Sequence, residues 1–160
     1  SKRQTELDLK DSSLNYIILR LGSVYGYGEN MRLKIVGNLF AKMSSQNQTI
    51  KLFAGGINYK PLVGLSDVVS FMKFVAHSDI NRETFHLVND NLTVKQIAEM
   101  CKKINSNTNL EITNDEIHNL GYTLSNEKIL ETGFKFQCKL EEELSKMINH
   151  WKNEETPINL

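Results

Sequence analysis

Short apolar runs alternate along this chain with segments whose apolar residues recur every three or four positions. The first run, Tyr16-Ile17-Ile18-Leu19, is closed by Arg20-Leu21-Gly22 and lacks helical spacing. It predicts a strand over 15–21 buried on both faces, as found inside a parallel sheet. Ahead of it, Ser1 to Lys10 carries good helix formers with only Leu7 and Leu9 apolar, and Asp11-Ser12-Ser13 reads as a turn. Helix, tight turn and buried strand in that order make a parallel α/β unit.

After the glycines at 22, 26 and 28, residues 32–43 are amphipathic, with Leu33, Val36 and Phe40 on one face and Ile35, Leu39 and Met43 beside them. Polar residues 44–48 end that helix. Residues 49–53 alternate as a short strand, and Ala54-Gly55-Gly56 turns the chain. Residues 58–63 are extended, and Pro61 places them at an edge or outside a central sheet. Ser66 caps a helix from Asp67 to about Ala76, with Val68, Val69, Met72 and Val75 inward. Residues 84–88 form another brief strand. Thr93 followed by Gln96 is a capping box, and the helix it opens buries Val94, Ile97, Cys101 and Ile104. Residues 111–113 read as a strand, whereas 114–120 carry no clear pattern. Residues 122–124 are extended, Ser125 caps a short helix and Gly133 closes it. The last helix, 140–151, turns Leu144, Met147, Ile148 and Trp151 inward, and a frayed tail follows over 153–160.

Composition narrows the function classes. The 160 residues suffice for one domain or most of one. Nineteen basic and nineteen acidic residues cancel, so the chain has no electrostatic footprint for nucleic acid or an anionic membrane. Its apolar runs are too short to span a bilayer. Two cysteines, Cys101 and Cys138, fit a reduced, cytoplasmic protein better than a disulfide scaffold. His77, His86, His118 and His150 lack metal-ligand spacing, so no metal site is expected. A charged start without Met, already in helical pattern, reads as a piece of a longer chain.

Ligands of open parallel sheets sit beyond the carboxyl ends of the strands, which directs attention to Leu21-Gly22-Ser23-Val24-Tyr25. On pattern alone the glycines there read more readily as mere loop turns. Four segments in order carry a resemblance. Ser1-Lys2 with Glu6 is similar to the end of a Y-x-x-S-K-x-x-x-E segment, and Arg20 to Gly26 to an R-x-x-N-V-Y-G-P loop. Lys60-Pro61-Leu62-Val63-Gly64-Leu65-Ser66-Asp67-Val68 resembles R-P-F-V-H-V-x-D-V. Tyr122 to Ile129, then Thr132-Gly133-Phe134, resembles a late Y-x-L-D-x-x-K-I and L-G-F segment. The series resembles the C-terminal half of the extended short-chain dehydrogenase/reductase family, the NAD(P)-dependent epimerases and dehydratases of nucleotide sugars.

The resemblance implies an α/β fold: the C-terminal fragment of a doubly wound Rossmann-type fold, with its last parallel strands and a small, mainly helical substrate-binding domain. Residues 1–30 would end the nucleotide-binding domain. Residues 31–160 would form the substrate-binding domain, with 84–88 returning as a strand to the parent sheet. Lys2 would be catalytic, its ammonium stabilising a tyrosinate three positions before Ser1, and with Leu21 would contact NAD or NADP. Gly22, Ser23, Tyr25, Phe53, Lys60 and Ser125 would contact the nucleotide sugar. Ser23 stands where the family has asparagine, Lys60 where it has arginine, Gly64 where it has histidine, and Ser125 where it has aspartate. Gly121 falls where an arginine often precedes the tyrosine. The parent would be a homodimer acting on a nucleotide-sugar substrate, and this portion alone, lacking the dinucleotide fingerprint, would be inactive. A reductase of the same family and a non-catalytic binding module are the alternatives.

Overall fold

The computed structural model describes residues 1–115 and 120–152. The expected frayed tail, His118 and most of the stretch without pattern lie outside the described residues. The chain opens with α1 (Lys2–Asp11) and β1 (Ile17–Leu21), which runs straight into β2 (Ser23–Tyr25). Helix α2 (Val36–Ser45), β3 (Ile50–Leu52) and a tight turn over Phe53–Gly56 follow. Strand β4 (Tyr59–Gly64) leads directly into α3 (Leu65–Ala76), and β5 (Glu83–Leu87) returns. Then come β6 (Asp90–Thr93), α4 (Val94–Ile104), β7 (Leu110–Ile112), α5 (Glu127–Glu131) and α6 (Leu140–Trp151). The α/β class and the parallel pairing are as the sequence leads one to expect.

Among the described residues the strands form three small sheets. β1 pairs in parallel with β5, placing Ile17 opposite Glu83 and Leu21 opposite Leu87. β2 pairs in parallel with β4, which pairs antiparallel with β6 on its other side. β3 and β7 form a parallel pair beside the helices. Pro61 therefore sits in a central strand, not at an edge. The Val94 N–H donates to the Asn58 carbonyl at 3.0 Å. By antiparallel alternation this makes Pro61 and its partner Asn91 a non-hydrogen-bonded pair. The ladder to β2 begins only at Leu62, so the missing proline N–H costs no strand bond.

Two apolar clusters lie on opposite faces of the β2–β4 sheet. Alternation sends Tyr25 and Leu62 to one and Val24 and Val63 to the other. The larger cluster gathers α2, α4 and α6 around Phe40, Ile97, Leu144, Met147 and Trp151. The smaller packs α3 and α5 against β1 and β5. Its centre is aromatic: the Phe71 ring meets Phe85 at 5.4 Å and Phe134 at 5.0 Å, both edge-to-face.

That centre rotates α3 away from the expected face. Val68 and Phe71 are buried, whereas Val69 and Met72 are exposed. A phenyl ring removes more apolar area from water than a valine, and two other rings stand ready to receive it. Strand β1 also differs from expectation. Only Ile18 is fully buried, and Leu21 is 43% exposed, because among the described residues β1 has a neighbour, β5, on one edge alone. Helix α2 starts four residues later than the periodicity implies, since 32–35 belong to a loop. At α3 the cap position is Gly64 rather than Ser66. The capping box of α4 is present as expected, with Thr93 Oγ1 accepting from the Gln96 N–H at 3.2 Å.

Candidate functional site

The site is built where the first strand changes partners. Through Leu21 the chain follows β5, and the Gly22 N–H still donates to the Leu87 carbonyl at 3.0 Å. From Ser23 it follows β4 instead. A side chain at Gly22 would stand 3.0 Å from both the carbonyl carbon and the carbonyl oxygen of Pro61, so this crossing requires the close backbone approach of glycine. At this fork lies a cavity of about 550 Å³.

Helix α1 reaches the cavity because Arg20 holds it there. The Arg20 guanidinium grips the Glu6 carboxylate, with Nε donating to Oε1 at 3.0 Å. That hydrogen bond keeps the Glu6 carboxyl below the usual carboxylate range. Lys2 is one helical turn before Glu6, on the same face, and lines the cavity with Leu21, Gly22 and Ser23. Those four candidates come together from α1 and the strand fork.

The other four do not line it. Tyr25 is a core residue: its ring is fully buried and its hydroxyl donates to the Cys138 carbonyl at 3.4 Å. Burial pushes its phenol well above the ordinary tyrosine value. The period of two in β2 explains this, since Tyr25 shares its face with Ser23 but lies one pleat deeper under α2 and α6. Phe53 is exposed on the turn after β3. Lys60 is half-buried on β4, two residues before Leu62, the partner of Ser23. Ser125 is exposed and uses its Oγ locally, accepting from the Glu127 N–H at 3.3 Å.

Further lining residues come from positions the sequence reading left to other roles. Arg32, Lys34 and Ile35 belong to the loop before α2, Asn38 to α2 itself and Leu65 to the start of α3. Tyr122, noted only as part of a late motif, also lines it. Among the described residues the cavity thus collects three cations, Lys2, Arg32 and Lys34, and no carboxylate. Such a lining concentrates anions. Asn38 could not be distinguished by pattern from any polar residue on an amphipathic helix; its role appears only once the loop folds over it.

Two departures from the resembled motifs have steric causes. At Gly64 an added Cβ would lie 2.6 Å from the Cys138 Cβ and closer still to its sulfur. Cys138 fills the space a side chain at 64 would take. Gly121, at a φ of +79°, passes so close to Tyr59 that an added Cβ would lie 2.7 Å from its backbone nitrogen. No arginine fits there. Behind the site, Asp67 is buried and accepts from the backbone N–H groups of Gln137 and Cys138 at 2.9 and 3.1 Å, tying α3 to the segment that enters α6.

No protein-family model and no curated protein sequence matches the chain. Solved structures do. The UDP-glucose 4-epimerase of Thermotoga maritima, determined with UDP-glucose, superposes with a TM-score of 0.76 at 23% identity over 94% of this chain and 52% of its own. The fold is that of about half of that solved chain. The UDP-glucuronic acid 4-epimerase of Bacillus cereus, in complex with UDP-glucuronic acid and NAD, gives 0.77 at 14% identity over 94% and 49%. The dTDP-glucose 4,6-dehydratase of Streptomyces venezuelae gives 0.74 at 20% over 96% and 50%. The chain spans about half the length of these enzymes, a share consistent with the C-terminal half that the motif order implies.

Proposed function

We propose that this chain is the substrate-binding portion of an NAD(P)-dependent enzyme that epimerises or dehydrates a nucleotide sugar. The observation that supports this most is the meeting of Lys2 with Leu21, Gly22 and Ser23 in one cationic cavity at the carboxyl end of β1. The likeness in fold to enzymes solved with nucleotide sugars and NAD supports it independently. The residues present fit a dinucleotide at one side of the cavity. Lys2 makes no ion pair among the described residues, and Leu21 leaves an exposed strand end beside it. NAD or NADP, when bound, supplies a hydride acceptor and donor for the sugar carbon.

The chain's own residues have separate tasks. The Lys2 ammonium carries three donors, enough to bond a ribose hydroxyl while its charge favours a neighbouring phenolate over the phenol. The resemblance puts that phenol three positions before Ser1. The Ser23 hydroxyl has no partner among the described residues and can donate to or accept from a sugar or phosphate oxygen. Gly22 keeps the floor of the cavity flat, and Tyr25 and Cys138 stiffen the wall behind it.

The test is thermal shift of the full-length protein with NAD and UDP-, dTDP-, GDP- and CDP-linked sugars. A ligand at about 100 times its Kd adds roughly 2.7 kcal/mol of stability. One nucleotide class should stabilise, Ser23→Ala should weaken that response, and Lys2→Met should abolish turnover while nucleotide-sugar binding persists. Absence of any response in a protein that binds NAD(P) would overturn the reading in favour of a reductase of another carbonyl substrate. Absence of response to cofactor and sugars alike would favour a non-catalytic module.

A further inference from the structure

In the loop 26–35, which also holds Glu29, Arg32 and Lys34 pair with no carboxylate among the described residues. Arg32 and Lys34 are exposed, line the cavity, and make no side-chain hydrogen bond or ion pair among the described residues. Arg20, Lys95, Lys103, Lys128, Lys139 and Lys146 each have a carboxylate partner, whereas Lys2, across the cavity, shares with Arg32 and Lys34 the lack of one among the described residues. The free charges are nevertheless on a fixed backbone. Asn38, 1% exposed, accepts from the Gly26 N–H through Oδ1 at 3.2 Å and donates from Nδ2 to the Arg32 carbonyl at 3.2 Å. The Arg32 carbonyl also accepts from the Ile35 N–H at 3.2 Å, and the Gly28 carbonyl from the Met31 N–H at 3.1 Å. A buried amide thus spans the loop from end to end, and two unpaired cations project from it over the strand fork. Lys60 is outside this lining.

We propose that Arg32 and Lys34 form the anion clamp of the site and bind the diphosphate of the nucleotide sugar, with Asn38 as the residue that positions them. This rests on the nucleotide-sugar reading and moves to the loop a role that the resemblance gives to Lys60. A guanidinium supplies a planar fork for two phosphate oxygens, which a lysine at 60 does not, and Lys34 adds a second charge beside it. The two cations then meet the ligand from a backbone that Asn38 and two turn hydrogen bonds already hold.

Binding to the full-length protein is measured calorimetrically for a nucleotide-sugar panel, the free nucleoside diphosphates and inorganic pyrophosphate, at two salt concentrations. Removing either cation should weaken affinity on the order of 10- to 100-fold, the range of a hydrogen bond to a charged group. Arg32→Ala with Lys34→Ala should therefore abolish most diphosphate binding and most of its salt dependence, raising KM with kcat little changed. Lys60→Ala should have a smaller effect. Asn38→Asp keeps the acceptor for Gly26 but removes the donor to Arg32, and should raise KM without altering the pH profile of kcat. A double variant that binds like the parent overturns the clamp, whatever the substrate. Pyrophosphate binding that depends on both cations, without binding of any nucleotide sugar, upholds the clamp and overturns the nucleotide-sugar reading. A parent that binds neither overturns both.

Discussion

Replacing Gly64 by alanine tests the wall behind the site. Its φ of −73° and ψ of 143° are open to any residue, so the substitution introduces no backbone strain. Through the unfolded state alone, Gly→Ala at such a position would stabilise by about 0.4–1 kcal/mol. Packing opposes this. The new methyl would stand 2.6 Å from the Cys138 Cβ, about 1 Å inside ordinary carbon contact, and nearer to the sulfur. Cys138 cannot swing aside, because Asp67 holds its N–H at 3.1 Å and Asn89 Nδ2 donates to its carbonyl at 3.2 Å. Overpacking of this kind costs about 1–3 kcal/mol. The depth of the overlap puts the cost at the upper end, about 2–3 kcal/mol, so the net loss is about 1–2.6 kcal/mol. At about 2–4 °C per kcal/mol for a chain of this size, Gly64→Ala should lower Tm by roughly 2–10 °C. Cys138→Gly in the same protein removes both offending atoms and should recover much of that loss, giving a favourable coupling in the double-mutant cycle. Cys138→Ala leaves the Cβ in place and should recover less. Calorimetric melting of the four proteins decides the matter. A Gly64→Ala variant as stable as the parent, or no rescue by Cys138→Gly, refutes the account of why a histidine is absent here.

Thr93→Ala should cost about 1 kcal/mol, and Thr93→Ser much less, because the capping box at α4 loses its acceptor for the Gln96 N–H in the first case only. Amide exchange in the first turn of α4, faster in the alanine variant alone, checks this. Asp90 gives a pH dependence. Burial, with the nearby Asp67 charge adding to it, raises its carboxyl above the usual 3.8. The folded state then binds the proton more tightly than the unfolded chain. Ionised Asp90 lowers stability above the raised value, and this penalty disappears as the pH falls through it. Asp90→Asn should accordingly raise Tm at pH 7, with a gain that shrinks on acidification toward pH 4; a gain independent of pH would contradict the assignment.

What the sequence made legible was local. The bounds of α6, the capping box at Thr93 and the strands ending near Leu21 and Leu87 follow from patterns within a dozen residues. What it hid depended on partners far along the chain. Pro61 reads as an edge residue until Leu62 is found to begin the ladder with β2 and Asn91 to sit opposite on β6. Val69 and Met72 read as inward until Phe85 and Phe134 arrive to receive Phe71. Of the site, Lys2, Leu21, Gly22 and Ser23 could be found from motif spacing. Tyr25 could not be assigned to the core without knowing that Cys138 lies across from it. Arg32 and Lys34 were masked by the amphipathic pattern that continues from α2 back into the loop, and Asn38 by having no local signal at all.

The position of the cavity follows from the strand fork rather than from any single functional residue. A continuous strand of nine residues over 17–25 would add to one sheet and leave no crevice. Here the backbone changes partners within one residue, from β5 at Leu21 to β4 at Ser23, so the two sheets separate at Gly22. Between diverging sheets the carboxyl end of β1 opens to solvent, which is where a ligand can reach strand-end backbone and the start of α1 together. The fork also sets which side chains face the opening. Ser23 faces it, Val24 goes to the smaller core and Tyr25 to the larger. A side chain at Gly22 would push β2 from Pro61 and shift all three. Gly22→Ala should therefore weaken ligand binding and unsettle both cores at once, whereas Ser23→Ala should weaken binding with little change in Tm. That contrast separates a residue that shapes the site from one that uses it.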